Sequence, residues 1–203
     1  MILYLCIIAA AVLCIAAVVS LATSTAFFPV LGWTALATVL VMLVDAFTAT
    51  ACRLLPKKVA NPEKKIFQVS AKEKKFYEKL KIRKWKDKVP EIGQFTGFRK
   101  NKLDDPKSVE YLDRFLLEIS YGELGHITSC VTSFLILLLF PMYHLWLAVA
   151  IPVATVSMLL NLPSLFILRY NSYKLRILRK NNLKKQQLQA KTEKEVAITS
   201  LAE

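Results

Sequence analysis

Two long stretches of this sequence hold no lysine or arginine. All 28 basic residues fall within 53–114 and 169–194, leaving 1–52 and 115–168 without one. In a soluble protein a net charge of +13 would suggest a nucleic-acid partner. Here the basic blocks alternate with apolar ones and mean hydropathy is +0.40, which argues against a soluble fold. No groove-reading or base-stacking motif accompanies the charge, so nucleic acid is not expected as a partner. Glycine is scarce, with five residues in all, and none form a phosphate-cradling loop. The four cysteines, Cys6, Cys14, Cys52 and Cys130, lie in or at the ends of apolar stretches without zinc-site spacing. They read as small apolar residues.

What is present reads as an all-α integral membrane protein with about four transmembrane helices, a basic cytosolic loop and a basic C-terminal tail. Residues 1–22 form a continuous apolar run, about 33 Å as a helix and enough to cross the hydrocarbon core. Ser24-Thr25-Ala26 follows it as a leader cleavage site would, but there is no basic segment before it and the apolar part is long. That favours a retained span over a cleaved leader. Ser24 to Gly32, with Pro29, reads as a turn. Trp33 to Ala51 is the second span, and Arg53, Lys57 and Lys58 mark its cytosolic end.

The chain thus divides into a membrane hairpin over 1–52, a basic cytosolic or interfacial loop over 53–113, a second membrane hairpin over 114–170, and a basic-to-polar tail over 171–203. Both termini and both basic regions would be cytosolic in a multi-pass protein of the plasma membrane. Lys72 to Lys88 interleaves Phe76, Tyr77, Leu80, Ile82 and Trp85 among lysines, as an interfacial helix or hairpin would. A looser segment with Pro90, Phe95 and Phe98 follows. Residues 127–168 are too long an apolar stretch for one span. They read as two, turning at Pro141 to His144, with the fourth running from about Leu145 to Leu168. Anionic lipid headgroups are the expected electrostatic partner, at roughly 1 kcal/mol per nearby Lys or Arg.

The candidate chemistry lies where the loop enters the second hairpin. Leu112, Phe115, Leu116 and Ile119 recur at helical spacing, and the same face continues to Glu123 and His126. A histidine paired with a carboxylate can act as a general base, the acid fixing its tautomer. Glu123 or Glu118 could supply that acid; alternatively, Glu123 and His126 form a structural hydrogen-bonded pair. The Glu-x-x-His spacing is also half of a di-iron carboxylate motif. The second half is missing, so no metal is expected. Asp45 and Asn161 each lie eight residues inside a basic helix end, Arg53 and Arg169, so both sit about 12 Å deep. Asp45 is either a functional carboxylate or a carboxyl hydrogen-bonded to a neighbouring helix. Arg169 either binds an anionic group or anchors the helix on the positive side. No Ser or Cys nucleophile sits beside the base, so an acyl-enzyme is not suggested.

Three stretches in order, Arg83-Lys-Trp-Lys86, Glu118-x4-Glu123-Leu-x-His126 and Asn161-x-Pro163-x5-Arg169-Tyr170-Asn171, resemble the small membrane glycosyl-diaponeurosporenoate acyltransferases. The resemblance covers roughly residues 75–180. It implies transfer of a fatty acyl chain to a sugar hydroxyl of a glycosylated isoprenoid, with Glu118, Glu123 and His126 in the family's most distinctive motif. The chain departs from the pattern at Ile127, where the family has Trp, at Leu168, where it has Gln, and over Ser172 to Leu175. These departures bear on the substrate more than on the fold.

Two readings follow. In the first, this is a membrane acyltransferase using an acyl-CoA or acyl-carrier donor and a lipid-linked acceptor, with no bound cofactor. His126 would be the base and Glu123 or Glu118 its orienting acid. Asp45, Lys84, Trp85, Lys86, Asn161, Arg169, Tyr170 and Asn171 would line the substrate site, with Arg169 and Lys84 or Lys86 holding a phosphate or headgroup. In the second, it is a non-catalytic protein that binds anionic lipid or a membrane partner through its basic surface.

Overall fold

The computed structural model describes residues 2–89 and 103–201, with side chains described over 4–89 and 103–193. The expected loop around Phe95 and Phe98 lies outside the described residues. The described residues form six α-helices: α1 (Ile2–Thr23), α2 (Phe27–Leu54), α3 (Ala71–Lys79), α4 (Ile82–Trp85), α5 (Val109–Thr132) and α6 (His144–Leu201). No strand occurs among the described residues. Four of the helices, α1, α2, α5 with its continuation, and α6, are long and apolar enough to cross a membrane.

The turn between α1 and α2 is tighter than the sequence suggests. It occupies Ser24 to Ala26, with Ser24 at a φ of 52°, and Pro29 falls inside the first turn of α2. A proline is tolerated there because the first-turn N–H groups have no intrahelical acceptor. Gly32 is carried in the helix, where an added Cβ would meet nothing within 4 Å. At the other end α5 tightens into a 3-10 segment, Ser133–Leu138, before the chain turns at Pro141. An aromatic group closes this end. Trp33 meets Phe140, Tyr143 and Trp146 at centroid distances of 5.9, 5.2 and 5.8 Å, and Trp146 Nε1 donates to the Ile136 carbonyl at 3.0 Å.

α6 organises the molecule. Its 58 residues extend about 87 Å, so it runs well beyond any bilayer, and it touches each of the other five helices. The expected boundary near residue 170 is therefore not a helix end. Pro152 and Pro163 lie inside it and deprive the carbonyls of Ala148 and Leu159 of a partner. Among the apolar contacts, Ala37, Ala150 and Ala154 are fully buried. Small residues of this kind let membrane helices approach closely. Gly122 and Gly125 serve the same end on α5. A Cβ at Gly122 would lie 2.9 Å from Leu168 Cδ1 of α6, and one at Gly125 would lie 3.9 Å from the Ala49 backbone.

Outside the bundle, α3 and α4 form a short helical turn against α6. Ser70 caps α3 by accepting from the Glu73 N–H at 3.1 Å. Lys81, at a φ of 52°, reverses the chain. Tyr77, Ile82, Ile167 and Tyr170 then bury one another, with Trp85 packed alongside.

Candidate functional site

Two polar layers join α5 to α6. The deeper one gathers Asp45 from α2, His126 and Ser133 from α5 and its continuation, and Ser157 and Asn161 from α6. His126 and Ser133 are seven residues apart, and Ser157 and Asn161 four, so each pair projects from one face of its helix. Ser157 Oγ donates to Asp45 Oδ2 at 2.9 Å and Asn161 Nδ2 to the same oxygen at 3.3 Å. Ser133 Oγ lies 3.2 Å from Asp45 Oδ1. Asn161 Nδ2 also donates to the Ser157 carbonyl at 3.1 Å, and Asn161 Oδ1 lies 2.8 Å from His126 Nδ1. Asp45, Asn161 and His126 thus form one hydrogen-bonded chain across three helices. Among the described residues no polar atom bonds His126 Nε2.

The shallower layer is ionic. Glu123 is 0% exposed and accepts from Arg169 Nη1 at 3.0 Å. The rest of that guanidinium is also committed. Nε and Nη2 pair with Glu73 of α3, Nη2 at 3.0 Å, and Nη1 reaches the Ile66 carbonyl at 2.9 Å. Tyr77 donates to Glu73 as well. Burial raises the Glu73 carboxyl, but the hydrogen bonds from Arg169 and Tyr77 outweigh it and leave Glu73 below its ordinary value. Tyr77 is pushed well above the ordinary phenol range, by burial first and then by the carboxylate it faces. About two and three turns further along α6 the pattern repeats. Arg176 donates to the Pro62 carbonyl and lies 3.7 Å from Glu63, and Arg179 pairs with Asp113.

The sequence candidates therefore separate. His126, Asn161 and Asp45 come together, and Glu123 joins Arg169 instead. The expected orienting acid of His126 is replaced by an amide. Glu123 is on the right face, but a buried carboxylate gains more from the guanidinium opposite it. Glu118 is eight residues from His126, about 12 Å along the helix. It sits at the surface, 3.4 Å from Arg53. Trp85 donates to the Leu80 carbonyl at 2.9 Å, Lys84 is exposed, and Lys86 lies 3.7 Å from Asp87. Tyr170 is buried beneath Lys174, whose Nζ lies 4.4 Å from the ring centroid, and Asn171 is half-buried. Among the described residues no three His, Cys, Asp or Glu side chains are grouped to hold a metal ion.

Four participants were not singled out from the sequence for a site: Ser133, Ser157, Glu73 and Tyr77. The serines had a signal, since Ser129/Ser133 and Ser157/Asn161 are i, i+4 polar pairs inside apolar spans. Glu73 had one too, because Ser70-x-x-Glu73 before an amphipathic stretch is a capping-box pattern.

Comparison with curated proteins and with solved structures returned no match. A model of the glycosyl-4,4'-diaponeurosporenoate acyltransferase (CrtO) family matches residues 62–181, a stretch that holds Glu73, Glu118, Glu123, His126, Asn161 and Arg169. That is more than half of the 203 residues, and the chain belongs to this acyltransferase family.

Proposed function

We propose that this protein transfers a fatty acyl group from an acyl thioester, on CoA or an acyl carrier, to a hydroxyl of a glycosylated isoprenoid or other glycolipid. The reaction takes place at the cytosolic leaflet of the plasma membrane. The observation that carries this reading is His126, held at Nδ1 by Asn161 and unbonded at Nε2, in a chain of an acyltransferase family. Nε2 takes the proton of the acceptor hydroxyl as its oxygen attacks the thioester carbonyl. The C–S bond then breaks, and the imidazolium returns the proton to the departing thiolate. The confinement of basic residues to 53–114 and 169–194 supports the orientation, since such clusters remain on the cytosolic side.

Lipid mass spectrometry of host membranes tests this directly, comparing the unaltered protein, His126→Ala and empty vector. The unaltered protein should yield a species heavier by one fatty acyl chain, and His126→Ala should lower its rate of formation by about 10² to 10⁴. Full turnover by His126→Ala would remove the base assignment. Identical profiles from all three, with folded protein and acceptor present, would favour lipid binding by the basic surface.

A further inference from the structure

We propose that Asp45 is the positioning residue of this site. Acting through Asn161, it holds His126 in the tautomer that carries its proton on Nδ1 and leaves the Nε2 lone pair free. The catalytic meaning of this rests on the acyl-transfer reading, but the tautomer can be observed without any reaction.

The two ends of an asparagine amide are nearly alike in shape, so their neighbours decide which end points where. One end of Asn161 faces the Ser157 main-chain carbonyl at 3.1 Å and Asp45 Oδ2 at 3.3 Å. A carbonyl can only accept, so this end must be the NH₂ group. The opposite end, Oδ1, then faces His126 Nδ1 at 2.8 Å. Oδ1 can only accept as well, so the proton of that bond belongs to the imidazole. Turning the amide over would set its oxygen against both acceptors and leave their hydrogen bonds unmade.

Asp45 is fixed from both neighbouring helices. Ser157 Oγ donates to Oδ2 at 2.9 Å, and Ser133 Oγ stands 3.2 Å from Oδ1, itself tied to the Ser129 carbonyl at 2.6 Å. Without this anchor the Asn161 amide would keep one acceptor and lose the other. His126 could then adopt the Nε2–H tautomer, which free imidazole prefers in histidine and which has no lone pair on the unbonded nitrogen.

The test uses the full chain in detergent or bilayers with ¹⁵N-labelled histidine. The sequence has two histidines, so a His144→Gln background leaves His126 as the single signal. At about pH 9, well above the ordinary imidazole range, the proton should appear on Nδ1. Asp45→Leu should move population to the Nε2–H form. It should also lower kcat by about 10²-fold, the lower end of what a base contributes, with KM little changed. Asp45→Asn should keep the tautomer, because its oxygen can accept from Asn161 and its NH₂ can donate to Ser133. Asn161→Leu should release it as well, because the acceptor at Nδ1 is then gone. Should Asp45→Leu fail to fold, Asp45→Ala, which removes the carboxyl without adding bulk, decides.

An Nε2–H signal in the unaltered protein, or a tautomer indifferent to Asp45→Leu and to Asp45→Ala, overturns the proposal. The expected tautomer in a protein that forms no acylated lipid would uphold the positioning and overturn acyl transfer instead.

Discussion

The contacts that join α5 to α6 at Asn161 differ in kind from those that join them at Arg169, eight residues and about 12 Å further along. The deeper set contains one carboxyl, one imidazole, an amide and hydroxyls, linked through directional hydrogen bonds. The shallower set is built from guanidinium and carboxylate groups, with Arg169 between Glu73 and Glu123. In the ionic set each carboxylate has the Arg169 guanidinium opposite it, as a buried ion requires, whereas the other set places a single carboxyl among amide and hydroxyl groups. The consequence is a division of labour. The hydrogen-bonded set controls orientation and leaves one nitrogen without a partner. The ionic set uses up its donors and clamps α3 onto the bundle. The role expected of Arg169 in holding a donor phosphate would require Glu73 or Glu123 to let go of it.

The largest effect should come from breaking the clamp at its centre. Arg169→Met leaves Glu123 fully buried without its cation, and removing one partner of a buried pair typically costs about 3–5 kcal/mol. Denaturant unfolding in detergent should show that loss. Arg169→Met combined with Glu123→Leu should recover most of it, because the orphaned charge is then gone. If the single and double variants are equally unstable, Arg169 acts through Glu73 and packing, and Glu123 is not the group it neutralises.

The same contrast explains what the sequence could disclose. The four helices long and apolar enough to cross a membrane were legible because long apolar stretches without basic residues have few other interpretations. The meeting of Asp45 with Asn161 was legible from their equal distance to Arg53 and Arg169. Partner choice was not. Glu123 and His126 share a face of α5, but whether Glu123 turns to the imidazole or to Arg169 depends on the rotation of α6, which no local periodicity records. Glu118 illustrates a limit of angular reasoning, since residues on neighbouring faces can still be two turns apart. The length of α6 was obscured because its apolar character stops near Leu168 while its helix does not. Beyond that point Arg176 and Arg179 continue on one face and bind the loop.

A smaller effect should distinguish the clamp by its response to acid. Glu73 lies below the ordinary carboxylate value when folded. Its contribution is therefore fully present above the unfolded value and is lost as pH falls through the folded one. Acidification should release α3, seen as a change in Trp85 emission in a background with Trp33 and Trp146 replaced by Phe. Glu73→Gln should lower stability by about 1–2 kcal/mol at neutral pH and abolish that acid step. An acid step that persists in Glu73→Gln would assign the titration to another group.

The smallest change is expected at Glu118, which the family resemblance places in the most distinctive motif and the structure places at the surface. Its carboxylate lies 3.4 Å from Arg53, with the two side chains 26% and 45% exposed. An ion pair in such contact with solvent is screened by salt and typically contributes less than about 1 kcal/mol. Glu118→Gln should therefore leave stability nearly unchanged, and any small loss should vanish at high salt. Its effect on acyl transfer is then informative because folding does not confound it. An unchanged rate would confine the chemistry to the hydrogen-bonded layer around His126. A fall in kcat at unaltered stability would mean that Glu118 meets the substrate from the surface, where the sugar of a lipid-linked acceptor would sit.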